Sequence, residues 1–226
     1  MSRRRVVDLS HPIDAAIPMF PGLPAPEIAE HLSREASRAL YAGGTEFVIH
    51  RYTLIGNSGT YLDAPFHRYA DGADLATLPL ERMVDLPGMV LDCTERVAAG
   101  QRAIDVADLE GLDLTGRALL IHTGWAARWG QERYLDLNPY VTAAAAEALV
   151  ASGVMLVGID TRNIDDVGDR TRPVHSALLR AGIPIVENLR GLERLPRSGF
   201  RFFAAPLPFR GGSAVPVRAY AVVDQG

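Results

Sequence analysis

Thr142-Ala-Ala-Ala-Ala-Glu-Ala-Leu-Val-Ala-Ser-Gly-Val-Met-Leu-Val-Gly-Ile159 decides the class of fold. The hydroxyl of Thr142 is placed to cap the alanine-rich run, and Gly153 stands where a helix ends on a left-handed residue, so Thr142 to Ser152 is predicted to be a helix. The run from Val154 to Ile159 is almost continuously apolar, as expected of a strand covered on both faces. Ala118 to His122 has the same character. Further strands are expected at Val6 to Ser10, Phe47 to Ile55, Met89 to Cys93, Ile183 to Val186, Phe200 to Leu207 and Val215 to Val223. A second short helix should start at Pro173, a favoured first-turn residue, and end at Gly182, which puts His175 in its first turn. The stretch Pro12 to Pro26 is too rich in proline to be helical and is expected to run over the surface or across a cleft. With no repeat, low-complexity tract or linker, residues 1–226 read as a single α/β domain with a mixed β-sheet or open barrel-like core flanked by helices.

The chain has 226 residues, 48% of them apolar and 22% charged, enough to bury a full core. Its net charge of -4, with no basic stripe, makes nucleic acid an unexpected partner. All 23 basic residues are arginine. Schiff-base chemistry, a pyridoxal anchor and a phosphate-cradling P-loop all need a lysine and are therefore excluded. The one cysteine, Cys93, excludes an internal disulfide and a multi-thiolate zinc site, and its apolar surroundings mark it as an inert core thiol. No apolar run is long enough to span a membrane, and the arginines within Met1 to Val7 precede no apolar leader segment. A reducing, cytoplasmic setting with no membrane partner is the expectation.

Two pairs of side chains stand out among those that carry chemistry. Asp63 and His67 are separated by Pro65, which holds Ala64 away from helical geometry, so they belong to a shaped loop. His175 and Glu187 lie at a helix start and just beyond a strand. Two carboxylates and two imidazoles suit a hydrolytic metal site or an acid/base site, while structural hydrogen bonds are the bland alternative. His11, His50 and His122 read as structural. Asp160 and Asn163 follow a strand end, where sites often form in α/β folds, or else simply cap their loop. Trp125 and Trp129 read as packing for a short helix, and the absence of a Gly-x-Ser-x-Gly elbow excludes that type of serine hydrolase.

Gly56-Asn-Ser-Gly-Thr-Tyr-Leu-Asp-Ala-Pro-Phe-His67 resembles the signature His-x-Gly-Thr-His-x-Asp-x-Pro-x-His of the cyclase family of metal-dependent hydrolases, which includes bacterial kynurenine formamidases. The resemblance extends through Asp8-Leu-Ser-His-Pro12, Met19-Phe-Pro-Gly22, Leu120-Ile-His-Thr-Gly124, Gly158-Ile-Asp160, Arg172-Pro-Val-His175 and Ile185-Val-Glu187, in the family's order. It implies a swivelling β/β/α fold, a homodimer or homotetramer, and a small-molecule substrate: an amide, lactam, lactone or other cyclic carbonyl compound. It further implies that Asp63, His175 and Glu187 are metal ligands, that His67 is the acid/base, and that Phe20 contacts substrate.

The chain departs from the signature at two positions, where Asn57 and Tyr61 replace its first two histidines. An amide oxygen and a neutral phenol are poor substitutes for imidazole as metal ligands. A binuclear zinc site is therefore not expected. Three readings stand: one divalent ion, zinc or manganese, on Asp63, His175 and Glu187; a metal-independent cyclase or lyase built on the same acid/base cluster; or a member that only binds a small molecule. Asn57 and Tyr61 would be catalytic in the first two if they stabilise an oxyanion.

Overall fold

The computed structural model describes residues 3–225, so Met1, Ser2 and Gly226 lie outside the described part. The middle of the main sheet is built from four parallel strands, β5 (Leu86–Asp92), β7 (Ala118–His122), β9 (Leu156–Ile159) and β10 (Ile185–Glu187). Beyond β5 lie β11 (Ser198–Phe203), β13 (Tyr220–Gln225) and β1 (Arg3–Asp8); beyond β10 lie β4 (Tyr61–Asp63) and β12 (Ala214–Pro216), all antiparallel to their neighbours. The result is one nine-stranded mixed sheet. Two small sheets stand apart, β2 (Glu27–Leu32) with β3 (Ile49–Thr53), and β6 (Ala103–Ile104) with β8 (Tyr140–Val141).

Helix α4 (Ala143–Ala151) forms as its caps dictate, the Thr142 hydroxyl accepting from the Ala145 amide and Gly153 at φ 74° ending it. The short helices α1 (Arg34–Arg38), α2 (Thr94–Ala98) and α3 (Val106–Leu109) punctuate loops, whereas α5 (Pro173–Arg180) joins α4 against the sheet. Alternation along the parallel strands separates two cores. Leu119, Ile121, Val157, Ile159 and Ile185 meet Leu149 of α4 and Leu178 of α5. Leu120, Leu156, Val186 and Leu62 meet Phe200, Phe202 and Met83 inside the curve of the sheet.

The sheet curls because β12 and β13 sit near opposite ends of the strand order yet are joined by only Val217–Ala219. Those linking residues tie the two ends together: the Val217 amide donates to Thr60, the Ala219 amide donates to the Ser10 hydroxyl, and the Leu9 amide donates to Ala219. An open, barrel-like core flanked by helices follows, as expected.

Several boundaries differ from expectation. The predicted strand over 215–223 breaks into β12 and β13 around Pro216, and the predicted strand over 200–207 stops at Phe203, ahead of Pro206 and Pro208. Phe47–Ile55 contributes β3 not to the main sheet but to an exposed hairpin with β2, a strand with no alternating apolar signal in Glu27–Leu32. Tyr61–Asp63, read as loop, is a strand. Trp125 packs as expected, buried in a 3₁₀ turn (Trp125–Arg128) with its indole N–H on the Tyr134 carbonyl, whereas Trp129 lies just past that turn and stacks on His11. Cys93 is buried with its thiol pushed up to about 11 by burial, and no described helix is long and apolar enough to cross a membrane.

Candidate active site

In β4, Tyr61 and Asp63 point to the same side of the sheet, the side that α5 covers, and Tyr61 pairs directly with Glu187 at the carboxyl end of β10. That register makes the phenol reach the carboxylate: the Tyr61 hydroxyl donates a short hydrogen bond to Glu187 Oε2. The other oxygen, Oε1, accepts from the Ile164 amide at 2.7 Å. Burial, with the charges of Glu187 and Asp63, holds the Tyr61 phenol far above its ordinary range, so it stays neutral and donating. Burial also raises Glu187 to about 7 against the opposing pull of His175.

His175 enters from the first turn of α5. Asp165 receives the Val174 amide on Oδ1 at 2.7 Å and the His175 Nδ1 on Oδ2 at 2.5 Å. With Nδ1 so held, Nε2 faces Asp63 Oδ2 and Glu187 Oε1, each at 3.7 Å. Burial alone would lower this imidazole, but Asp165, Asp63 and Glu187 together carry it up to about 10. The loop after β4 turns as a 3₁₀ segment, Pro65–His67, and brings His67 Nδ1 to 3.5 Å from Asp63 Oδ1. The Asn57 amide donates to the same oxygen at 3.4 Å. Asp63 Oδ2 is buried and has no hydrogen-bond partner among the described residues.

Asn57, Tyr61, His67, His175 and Glu187 line a cavity of about 280 Å³ with Phe20 and Leu23 from the proline-rich segment, which does cross a cleft. Asp63 lies fully buried behind them, in contact with Asn57, His67 and His175. Among the described residues, one group of ligand atoms falls within 4.8 Å of one another, from Asp63, His67 and His175. The Tyr61 hydroxyl directs its proton to Glu187 Oε2, and the oxyanion role suggested for it would need that proton turned to the cavity that Tyr61 lines.

Four residues at or behind the cavity were not singled out by the sequence. Asp165 was one of several acids in a strand-end loop, and only the fold reveals that it orients His175. Asn188, at φ 57°, bonds Gly59, Tyr134 and Thr60 and thereby pins the Gly56–Thr60 loop to the end of β10. Arg162 and Arg172 also line the wall. Of the earlier candidates, Asn163 reaches the cavity, while Asp160 instead ties the turn at Thr123 and Gly124.

His11 stands apart, its ring stacked on Trp129 at 3.7 Å and its Nε2 buried without a partner among the described residues. Burial, joined by the Arg190 charge, depresses it to about 4. The unfolded chain binds a proton from about pH 6.5 downward, so the stability His11 contributes is present above that pH and lost as pH falls toward the folded value. Between pH 7 and 4.5, wild-type protein should lose about 2 to 3 kcal/mol more stability than His11→Gln in denaturant titrations; parallel losses would remove His11 as the cause.

The Cyclase family model matches residues 7–166, ending before His175 and Glu187. Kynurenine formamidase of Bacillus cytotoxicus is 27% identical over 213 residues, covering 94% of this chain and 95% of that protein. An isatin hydrolase, solved with the product analogue thioisatinate, superposes with a TM-score of 0.85 at 26% identity, over 98% of this chain and 93% of the other. A structure described as a potential metal-dependent hydrolase with cyclase activity gives a TM-score of 0.79 at 26% identity, over 99% of this chain and all of the other.

Proposed function

We propose that this chain, which belongs to the Cyclase family, is a hydrolase that opens the C–N bond of a small amide or lactam, with residues 1–226 acting as one hydrolase domain. The observation that carries the reading is the buried, unpartnered Asp63 Oδ2, set 3.7 Å from a His175 Nε2 that Asp165 has turned toward it. Two ligands of one ion are separated by a distance of this order, given metal–ligand bonds of about 2 Å. The same field that raises the imidazole to about 10 favours any positive charge between the two carboxylates. The donor set therefore fits a single divalent ion, zinc or manganese, held by Asp63 and His175 with Glu187 beside them. Such an ion, when bound, polarises a carbonyl and lowers the pKa of water. Asn57 and Tyr61 supply no imidazole for a second ion, and each hydrogen-bonds a carboxylate instead.

The chain's own residues supply the remaining work. Asp165 fixes the tautomer and direction of His175, in the manner of carboxylate–imidazole pairs behind metal ligands. Tyr61 and the Ile164 amide hold the two oxygens of Glu187. His67, about a third exposed at the cavity and steered by Asp63, is the group placed to pass a proton to the departing nitrogen. Phe20 offers a flat apolar surface to the substrate. A second reading makes His67 a ligand, because its ring nitrogen falls within the close group with Asp63 and His175. His67→Ala separates the two: retention of the ion with loss of turnover favours the proton carrier, and loss of both favours the ligand.

The reading is tested by turnover on a panel of N-acyl arylamines, lactams and lactones. Hydrolysis of at least one amide or lactam is expected, and inertness toward all of them would leave a binding protein. A reduced cytoplasmic setting accords with the single buried thiol.

A homodimer accords with the exposed hairpin of β2 and β3. Isolated two-stranded ribbons are marginal in water, yet this one leaves Ile49 50% and Tyr52 64% exposed. The double variant Ile49→Asp with Tyr52→Glu should convert a dimer to a monomer in light scattering, and a wild-type monomer would overturn the assignment.

A further inference from the structure

We propose that Arg162 and Arg172 form a carboxylate-recognising wall of this cavity, so that the substrate is an amide or lactam carrying its own carboxylate. The proposal rests on the hydrolase reading for the word substrate, and on geometry alone for the anion. Both arginines line the cavity that holds Asn57, Tyr61, His67, His175 and Glu187. Nε and Nη1 of Arg162 and Nη1 of Arg172 are buried, and none of the three has a hydrogen-bond partner among the described residues. A buried guanidinium N–H left unpaired is costly, and both of these side chains line the same cavity, where one anion would serve as a shared acceptor. Arg68, the third arginine of the lining, differs in donating its Nε to the Ser176 hydroxyl at 3.3 Å.

An unusual backbone conformation marks Arg172, and a ring contact holds Arg162. Arg172 sits at φ 53°, ψ 57° immediately before Pro173, a left-handed conformation that a residue other than glycine adopts at a cost. It caps the start of α5 without using its side chain there. Arg162 lies over the ring of Phe20, with its guanidinium carbon 4.9 Å from the ring centroid. That contact fixes the plane of the fork. Burial disfavours the Arg162 charge, and the like charge of Arg172 disfavours it further. An anion between them relieves both, and the planar two-oxygen edge of a carboxylate matches the fork better than a point acceptor does. Without these cations, the buried carboxylates Asp63 and Glu187 would repel an anionic ligand.

The test is calorimetric binding of matched pairs that differ only in charge: 2-acetamidobenzoate against 2-acetamidobenzamide, and N-acetylglycine against N-acetylglycinamide. The carboxylate of at least one pair should bind about 100-fold more tightly than its neutral partner, the range expected for charge-assisted hydrogen bonds. Arg162→Gln and Arg172→Gln should each weaken carboxylate binding about 10-fold and leave the neutral ligands unchanged. Arg→Lys at either position should recover part of the loss, since charge returns without the fork. Equal affinity within both pairs, no measurable binding of either carboxylate, or equal weakening of charged and neutral ligands in the glutamine variants would overturn the proposal. Because binding is read without turnover, a carboxylate preference in a protein that hydrolyses nothing would sink the hydrolase reading alone. Hydrolysis with no preference for charge would sink only this one.

Discussion

Asp63→Asn is expected to lower turnover of a small amide or lactam by about 10³-fold while the protein stays folded. Asp63 is fully buried, bonded into β4 between β10 and β12, and an amide of nearly the same shape disturbs neither the backbone ladder nor the packing. What disappears is a charge that faces His175 Nε2 and His67 Nδ1 together. In the proposed mechanism this one carboxylate serves the ion and the acid/base histidine while accepting the Asn57 amide. Steady-state kinetics on whichever substrate the panel yields, beside a melting temperature within a few degrees of wild type, checks the prediction. A loss of under about 10-fold would mean that Asp63 is merely structural.

Asp165→Asn should cost about 10- to 100-fold in metal affinity or turnover, the usual effect of disturbing a group behind a metal ligand. Asp165 touches neither the cavity nor any reacting atom. It accepts His175 Nδ1 on one oxygen and the Val174 amide on the other. An asparagine can keep the second bond, so α5 stays anchored, but its NH₂ group turned toward Nδ1 forces the imidazole proton onto Nε2. The nitrogen that should face an ion is then a donor, which is the wrong tautomer. The loss should fall on kcat with KM nearly unchanged, and a pure stability defect without that split would contradict the positioning role.

Much of this architecture was legible in the chain. The caps Thr142 and Gly153 and the apolar runs around Ala118 and Val154 encode local preferences that the tertiary structure leaves intact. Strand ends were less legible: Pro216 splits what hydropathy presents as one strand, and Glu27–Leu32 pairs only because Ile49–Thr53 lies beside it. In the site, the pairs Asp63 with His67 and His175 with Glu187 announced themselves by residue type. Their convergence depends on the antiparallel pairing of β4 with β10, a long-range fact with no local signature. The same is true of Asp165, which in sequence is one acid among several. Arg162 and Arg172 were invisible as a pair because a surface arginine and a cavity arginine have identical local surroundings until the chain folds, bringing Phe20 against Arg162 and both arginines to one cavity.

The most direct test is metal titration of chelator-stripped protein by calorimetry, with hydrolysis followed in the same samples. One equivalent of zinc or manganese per chain should bind and restore turnover, and neither should occur in Asp63→Asn or His175→Ala. Full activity in the stripped protein, or an ion still held stoichiometrically by both variants, would contradict an account in which these two side chains form its centre.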